Sequence, residues 1–441
     1  MNFPIVIESQ CLPQPKFCRA KYPNQSIHLY KGKASIIQGE DSVVEGKIVV
    51  LFEWFPYPHP KFEFTYFNQT RIESDEFILE LTAISTKTKA RVAQTTIYGS
   101  GSKCIISGYF SEPVIQGSDR NLASLTFNIP NFPWFNISNT LTWDWDDNEK
   151  RLEGWLQGLF DGQFVFQTND WRIVLATIPD HYDFWDLLRA KGGYGLTHVC
   201  KLERTDRSSF SIEEAREQLE AFSYYLSFAR GIWLAPILLS GYDFEGIQVF
   251  EEWSDCRADS WQNTYMWFQS DCCDVPETYS GFIDKWQDEF WRDLIKNSIR
   301  WYIESNKEAG GIEGAIILQQ TALERLSWVM LVEYKGVLDA EGWNRLSAAN
   351  RIRLLLSQLD ICLEIPDRMT DLKQMSKEFN WKDGVGAVTA IRNALVHPNP
   401  KNYWKIDSSK EAARHQAWYL GLQYLEQVLL KLFNYPYSLD L

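Results

Sequence analysis

The stretch Ile316–Met330, with the sequence IILQQTALERLSWVM, decides how the C-terminal part of this chain folds. Its apolar side chains recur around nearly the whole circumference of a helix, and a helix of that kind is buried by its neighbours. Gly310 and Gly311 interrupt the pattern just before it. The preceding helix carries one apolar face, formed by Trp291, Leu294, Ile295, Ile299 and Tyr302. We therefore predict that Ile316–Met330 is the central helix of a bundle.

Helical periodicity continues from this stretch to the end of the chain. It predicts further helices over Trp343–Leu359, Asp367–Phe379, Val385–Val396 and Glu411–Phe433. A capping box from Ser408 to Glu411 is expected to begin the last of them. The composition changes at about residues 278–284, so we predict an all-α bundle of four or more helices over residues 285–441.

The first part of the chain, residues 1–205, is instead rich in strands. Short β-branched and aromatic runs separated by turn residues predict a sandwich or a barrel-like sheet. These runs are Lys47–Phe55, Phe62–Phe67, Phe77–Ile84, Ala90–Tyr98, Cys104–Phe110, Leu125–Ile129 and Trp171–Thr177, with a hairpin expected over residues 141–156. Residues 206–284 extend this domain with a helix that begins at a Ser211–Glu214 capping box and a strand over Gly246–Trp253. The predicted fold class is therefore α+β and multidomain.

Composition and charge exclude several classes of protein. The chain has 441 residues, 45% of them hydrophobic and 23% charged, which is typical of a soluble globular protein. Its longest nearly uninterrupted apolar stretch, Gly231–Leu239, is far shorter than the roughly 18 residues of a membrane span, and the first residues lack the basic and apolar regions expected of a signal peptide. We expect a cytoplasmic protein without a membrane partner.

The net charge of −14 is unevenly distributed. Residues 285–441 carry 20 Lys and Arg against 20 Asp and Glu, so the whole excess of acidic residues belongs to residues 1–284. Any nucleic-acid contact of the helical part must therefore come from a local group of cations.

Motifs for cofactors and metals fail on spacing. The run Tyr98–Lys103 is rich in glycine but lacks the spacing of glycine and lysine residues that a phosphate-binding loop needs. The start of a calcium loop at Asp144 lacks the bend glycine and the final glutamate, and the eight cysteines form no metal-type pair. We expect neither a metal nor a cofactor.

Five of the six histidines have no local partner for acid–base catalysis, and His397 is the exception.

His397 ends the segment Ile391–Pro398, IRNALVHP, which combines a cation, an amide and an imidazole at one helix end. Because proline disfavours the α conformation of the residue before it, the helix should end at or near His397. Arg392 lies five residues earlier, which on a regular helix is a rotation of about 140°. The two side chains therefore do not share one face, and a second copy of the segment would bring two Arg and two His together.

This segment resembles the mark of the HEPN superfamily, in which Arg and a following polar residue precede a His by a short spacing late in a helical bundle. Arg392, Asn393 and His397 fit that mark, and the resemblance covers residues 285–441. More loosely, the whole chain is similar to ApeA-type HEPN proteins, in which a β-rich domain precedes the bundle. The runs from Tyr194 to Val199 and from Leu226 to Gly231 carry this wider likeness.

The resemblance implies metal-independent cleavage of an RNA substrate, in antiphage defence or as a toxin. The angular offset between Arg392 and His397 predicts an even-numbered oligomer, most simply a homodimer. Arg392, Asn393 and His397 would then be catalytic, and Gln320 and Glu324 are candidate auxiliary residues if their helix packs beside Arg392. The N-terminal domain would be a restraint or a sensor, triggered by a foreign protein or a ligand.

Two other functions stay open. The bundle could be a non-catalytic HEPN module that binds RNA or dimerises, or the chain could be an unrelated structural or ligand-binding protein. Aromatic residues of the first half fit either a core or a stacking surface, namely Trp54, Phe55, Tyr57, Trp134, Trp143 and Trp145.

Overall fold

The computed structural model describes most of the chain: residues 13, 16–17, 22–38, 42–67, 72, 75–98, 103–135, 163–178, 182–268, 274–397, 400 and 402–435. The chain forms two compact units. The first unit comprises residues 1–223, 233–263 and 269–276, and the second comprises residues 224–232, 264–268 and 277–441. A β-rich region precedes a helical one, so the predicted α+β multidomain class is confirmed. The hairpin predicted over residues 141–156 lies outside the described residues.

Six antiparallel strands of the first unit close into a barrel in the order β1-β2-β3-β6-β5-β4. Alternation of side chains builds its core: in the third strand Phe62, Phe64 and Tyr66 are buried while Glu63 between them is exposed. The barrel closes where Ala34 of the first strand pairs with Leu81 of the fourth. The strands are β1 (Ile27–Gln38), β2 (Ser42–Glu53), β3 (His59–Tyr66), β4 (Glu76–Leu81), β5 (Thr86–Tyr98) and β6 (Lys103–Phe110).

The same unit contains a seven-stranded antiparallel sheet in the order β7-β13-β12-β8-β11-β10-β9. Its strands are β7 (Val114–Gly117), β8 (Ser124–Pro130), β9 (Gln163–Gln167), β10 (Trp171–Thr177), β11 (Leu196–Arg204), β12 (Ile237–Tyr242) and β13 (Gln248–Trp253). Helix α1 (Tyr182–Lys191) precedes β11, and α2 (Ile212–Arg230) follows it. The predicted capping box of α2 is present, because Glu214 Oε2 accepts from the Ser211 N–H at 2.8 Å and the Glu214 N–H donates to Ser211 Oγ at 3.3 Å.

The second unit is helical. Its helices are α3 (Asp274–Trp286), α4 (Glu289–Asn306), α5 (Gly311–Trp328), α6 (Ala340–Asn344), α7 (Ala348–Gln358), α8 (Thr370–Glu378), α9 (Gly384–Val396), α10 (Tyr403–Ile406) and α11 (Glu411–Leu432). Helix α5 packs against α4, α7, α9 and α11, with Ile316, Leu323 and Leu326 buried, as the spread of apolar residues around the helix predicts. It continues into a π-helical turn over Val329–Tyr334.

The start of α11 differs from the prediction. The capping box from Ser408 to Glu411 is not formed, and α11 begins after Lys410 without a side-chain cap. Asp407 is the reason, because its carboxylate accepts from the Ser409 N–H at 2.9 Å and starts a 3-10 turn over Ser408–Lys410 instead. Asparagine and aspartate commonly compete with helical caps by such local bonds.

A buried carboxyl group lies in the core of the second unit. Glu426 of α11 is 8% exposed, and its Oε2 accepts a hydrogen bond from the Tyr302 hydroxyl at 2.7 Å. Burial raises the pKa of Glu426 to about 7, although the bond from Tyr302 opposes this effect. The carboxyl group of Glu426 therefore stays protonated in the folded protein at pH values where it is ionised in an unfolded chain.

We expect Glu426→Gln to reduce the pH dependence of stability. Because the folded pKa of Glu426 is raised, its stabilising effect is complete below the unfolded pKa of about 4.3 and declines as the pH rises through about 7. Glutamine keeps an acceptor for Tyr302 and has no proton to lose. Thermal unfolding at pH 5 and pH 8 should show a smaller loss of Tm in Glu426→Gln than in the parent.

The exposed Glu341 provides the matched control, since Glu341→Gln changes a carboxylate on the surface of the same unit. Its Tm should vary with pH as the parent's does. Identical pH profiles for Glu426→Gln and the parent would show that Glu426 is ionised in the folded protein throughout this range.

Candidate functional site

Helix α9 carries the predicted site, and its small residues let it approach the core closely. A Cβ at Gly384 would lie 2.3 Å from Tyr424 Oη and 2.7 Å from Leu420 Cδ2, so a larger residue there would require these side chains to move. Gly421 of α11 is the second close point, where a Cβ would lie 2.3 Å from Gln319 Oε1 and 3.4 Å from Val388 Cγ1. Helices α5, α9 and α11 therefore meet at Gly421, and this contact fixes the position of α9.

The N-terminus of α9 is held by a capped ion pair. Asp383 accepts from the Gly386 N–H at 2.8 Å, which satisfies one of the free donors of the first turn. Arg353 of α7 donates two hydrogen bonds to the same carboxylate, from Nε to Oδ2 at 2.6 Å and from Nη2 to Oδ1 at 2.9 Å. Burial alone would raise the pKa of Asp383, but the bonds from Arg353 and Gly386 hold it below its usual value.

The C-terminus of α9 lies at His397, as the following proline predicts. Helical geometry ends at Val396, and the His397 N–H still donates to the Asn393 carbonyl at 2.9 Å. The side chain of His397 is exposed. The backbone carbonyl of His397 accepts a hydrogen bond from Asn402 Nδ2 at 3.1 Å. Pro398 lies outside the described residues. An exposed imidazole therefore stands at the end of a helix whose other end is firmly anchored.

Arg392 is half-buried one turn before the end of the helix. Its Nη1 donates to Asn393 Oδ1 at 3.3 Å, and its buried Nε has no hydrogen-bond partner among the described residues. Within the same described part of the chain, no carboxylate forms an ion pair with it. A purely structural arginine in a bundle would be paired with a carboxylate, because an unpaired buried cation is costly. The guanidinium of Arg392 is thus available to an anion.

The predicted auxiliary residues bond to each other. Gln320 is 1% exposed, and its Nε2 donates to Glu324 Oε1 at 2.7 Å. Glu324 Oε2 in turn lies 4.0 Å from Nη1 of Arg351 on α7. In the described part of the chain neither side chain bonds to Arg392. Their helix does pack against α9, and an auxiliary role for Gln320 and Glu324 stays a prediction.

The short helix α10 next to His397 was not predicted from the sequence. Asn402, just before this helix, bonds the His397 carbonyl, and Lys405 Nζ donates to Asn402 Oδ1 at 3.1 Å. Tyr403 and Trp404 of α10 are 61% and 66% exposed. The available signal was the pair of adjacent aromatic residues between Lys401 and Lys405.

The aromatic residues of the first unit divide between core and surface. Trp54 is buried and stacks on Tyr194 with ring centroids 5.4 Å apart, whereas Phe55 and Tyr57 are exposed. Trp134 is half-buried, and Trp143 and Trp145 lie outside the described residues.

The parts of the chain that the structure describes contain no candidate metal centre and no candidate membrane helix. No group of three His, Cys, Asp or Glu side chains there is arranged to hold a metal ion. No helix found there is both long and apolar enough to cross a bilayer.

Removal of the Asp383 carboxylate should destabilise the second unit more than removal of an ordinary cap. Asp383→Ala loses the bond to the Gly386 N–H, which is typically worth about 1 kcal/mol, and leaves the half-buried Arg353 without its carboxylate partner, so we expect a total loss of about 2 kcal/mol. Because its pKa is depressed, this contribution is present above about pH 4 and is lost at lower pH. Chemical denaturation at pH 7 measures the difference.

Asp339 is the matched control. It caps α6 through the Gly342 N–H at 2.7 Å in the same Asp-x-x-Gly spacing, and none of the ion pairs among the described residues involves it. Asp339→Ala should cost about 1 kcal/mol or less. Equal losses in the two variants would mean that the bond to Arg353 adds nothing.

Comparison with known proteins finds two matching family models and one relative. Residues 117–264 match the model described as the YopA central domain, and residues 288–438 match the YopA C-terminal domain. The SPbeta prophage-derived uncharacterized protein YopA of Bacillus subtilis (strain 168) is 26% identical over 358 residues, which cover 80% of this chain and 75% of that protein. No solved structure matches the chain. The chain is thus similar to YopA across parts of both units, and the HEPN resemblance stays a prediction.

Proposed function

We propose that the second unit is a metal-independent endoribonuclease whose catalytic residues are Arg392, Asn393 and His397. The observation that carries this proposal is the state of Arg392, whose half-buried guanidinium has no carboxylate partner among the described residues. It shares the end of one helix with the exposed imidazole of His397. A cation and an acid–base group at one place are the minimum equipment for cleaving a phosphodiester.

The reaction needs no external nucleophile, because RNA carries its own 2′-hydroxyl. The 2′-oxygen forms a bond to phosphorus, the bond from phosphorus to the 5′-oxygen breaks, and a cyclic phosphate remains. One imidazole takes the proton of the 2′-hydroxyl, and a protonated imidazole gives a proton to the leaving 5′-oxygen. Arg392 stabilises the charge that builds on the phosphoryl oxygens. Asn393 orients the guanidinium of Arg392 by accepting a hydrogen bond from its Nη1.

A homodimer supplies the second imidazole. Arg392 and His397 lie five residues apart, a rotation of about 140° on a regular helix. A second copy of α9, related by a two-fold axis, offers one His as base and the other as acid. Two-fold dimers are the commonest closed assemblies.

The first unit acts, in this proposal, as a restraint or a sensor in the cytoplasm. Residues 1–284 hold the whole net charge of −14, which repels a polyanionic substrate. Phe55 and Tyr57 are exposed aromatic side chains to which a foreign protein or a ligand can bind. The prophage-derived relative is compatible with a role in antiphage defence or as a toxin.

The 441-residue protein should cleave single-stranded RNA in the presence of a chelator and leave cyclic phosphate ends. His397→Ala should lower the rate by about 10²- to 10⁴-fold, the usual effect of losing a general acid or base. Gel analysis of end-labelled RNA measures both the rate and the chemistry of the ends. Cleavage that requires a divalent metal would contradict the mechanism.

His415 is the matched control for this experiment, since it is the other exposed histidine described in the second unit. His415→Ala should retain the rate within about twofold, as most surface substitutions do. A stable, RNA-binding parent that cleaves nothing would instead favour the non-catalytic module.

The active protein should have twice the chain mass of 51.4 kDa. Because each site uses residues of two copies, specific activity should fall on dilution below the dimer dissociation constant. Sedimentation and rate measurements over the same concentration range test this relation. A monomer with undiminished activity would rule out the shared site.

A further inference from the structure

We infer that Tyr403 and Trp404 form a base-stacking platform that holds single-stranded RNA beside Arg392 and His397. This inference rests on the proposed function, which it deepens by assigning residues that select unpaired substrate. Neither aromatic residue is part of the predicted catalytic set. The platform is carried by α10, the short helix that follows the end of α9.

The platform is fixed relative to the candidate site. Asn402, which immediately precedes α10, donates from Nδ2 to the His397 carbonyl at 3.1 Å and accepts from Lys405 Nζ at 3.1 Å. Helix α10 also packs against α9. The Asn402 side chain therefore joins the backbone of His397 to the first residue of the platform, so the two aromatic rings are held close to the end of α9.

The two rings are unusually exposed for their size. Tyr403 is 61% exposed and Trp404 is 66% exposed, and their centroids lie 6.0 Å apart at an interplanar angle of 83°. The edge-to-face arrangement leaves ring surface open to solvent. Adjacent exposed aromatic residues at a fixed position are typical of a binding surface, where rings stack on a flat partner.

Charge identifies the flat partner as a nucleobase. Arg392 and Lys405 both lie at this end of α9, and each bonds an amide oxygen rather than any carboxylate among the described residues. Lys405 Nζ also lies 5.9 Å from the ring of Phe379. An apolar protein partner would bury these cations without neutralising them, whereas a nucleic acid offers phosphates to the cations and base faces to the rings.

The geometry favours single strands over duplexes. In an RNA duplex the faces of the bases are covered by neighbouring base pairs, so a protruding ring has no surface to stack on. In a single strand every base has a free face, and stacking on an aromatic side chain is tolerant of sequence. The platform therefore selects unpaired RNA without reading a particular base.

Binding without cleavage is the direct test. In the 441-residue His397→Ala protein, Trp404→Ala should weaken binding of a labelled single-stranded RNA by about 5- to 150-fold, the range found for one base stacked on one aromatic side chain. Trp404→Phe should restore most of the affinity, because phenylalanine still stacks. Binding of an RNA duplex should stay within about twofold in all three proteins.

Phe290→Ala is the matched control, since Phe290 is a 49% exposed aromatic residue of the same unit. It should leave RNA affinity unchanged, and unaltered Tm values in all variants show that the fold is intact. In the catalytic background, Trp404→Ala should raise KM for single-stranded RNA far more than it lowers kcat.

The possible results separate the two proposals. Loss of affinity in Trp404→Ala, together with a parent that cleaves no RNA, supports the platform and overturns the proposed function. Unchanged affinity and KM in Trp404→Ala, with a parent that cleaves, overturns the platform and leaves the nuclease. Conversion of a dimer to a monomer by Trp404→Ala, with RNA affinity kept, would assign the rings to a contact between two copies and also overturn the platform.

Discussion

The buried amide of Gln319 is the interaction on which the helical unit depends. Its Nε2 donates to Ser305 Oγ of α4 at 2.7 Å and to the Trp418 carbonyl of α11 at 2.9 Å, and Trp418 Nε1 donates back to the Ser305 carbonyl at 3.0 Å. These bonds join three helices in the interior, where polar groups strongly prefer defined partners. Gly421 keeps the neighbouring space open, so α9 packs on the same point.

The position of the candidate site follows from this arrangement. One end of α9 is held by Asp383 and Arg353, its middle is packed at Gly421, and its last turn presents Arg392 and His397. The proposed catalytic residues therefore lie at the end of a rigid helix rather than within a long loop. Rigid placement matters because an acid–base group acts only within hydrogen-bonding distance of the proton that it transfers.

Local signals in the sequence predicted much of this. The apolar residues spread around the helix identified α5, the spacing from Ser211 to Glu214 identified the start of α2, and Pro398 indicated where α9 ends. Each of these depends on residues within a few positions of one another. The pattern at Ser408 failed because Asp407, one residue earlier, makes a competing bond.

Contacts between distant residues could not be predicted in this way. Strand β1 was not predicted, and its pairing with β4 decides between a barrel and an open sheet. The bond from Gln320 to Glu324 and the tie from Asn402 to His397 depend on side-chain geometry, which one sequence does not contain. Helix α10 is only four residues long, too short to show periodicity.

Closure of the barrel also has a consequence for how this chain behaves among other proteins. A strand at an open edge offers unpaired N–H and carbonyl groups to any extended chain, and the pairing of β1 with β4 removes that edge from six strands. The outer strands of the described sheet, β7 and β9, are short, at four and five residues. A unit with so much β structure thereby offers little template for intermolecular strand pairing, which lowers its tendency to form amyloid-like aggregates at high local concentration.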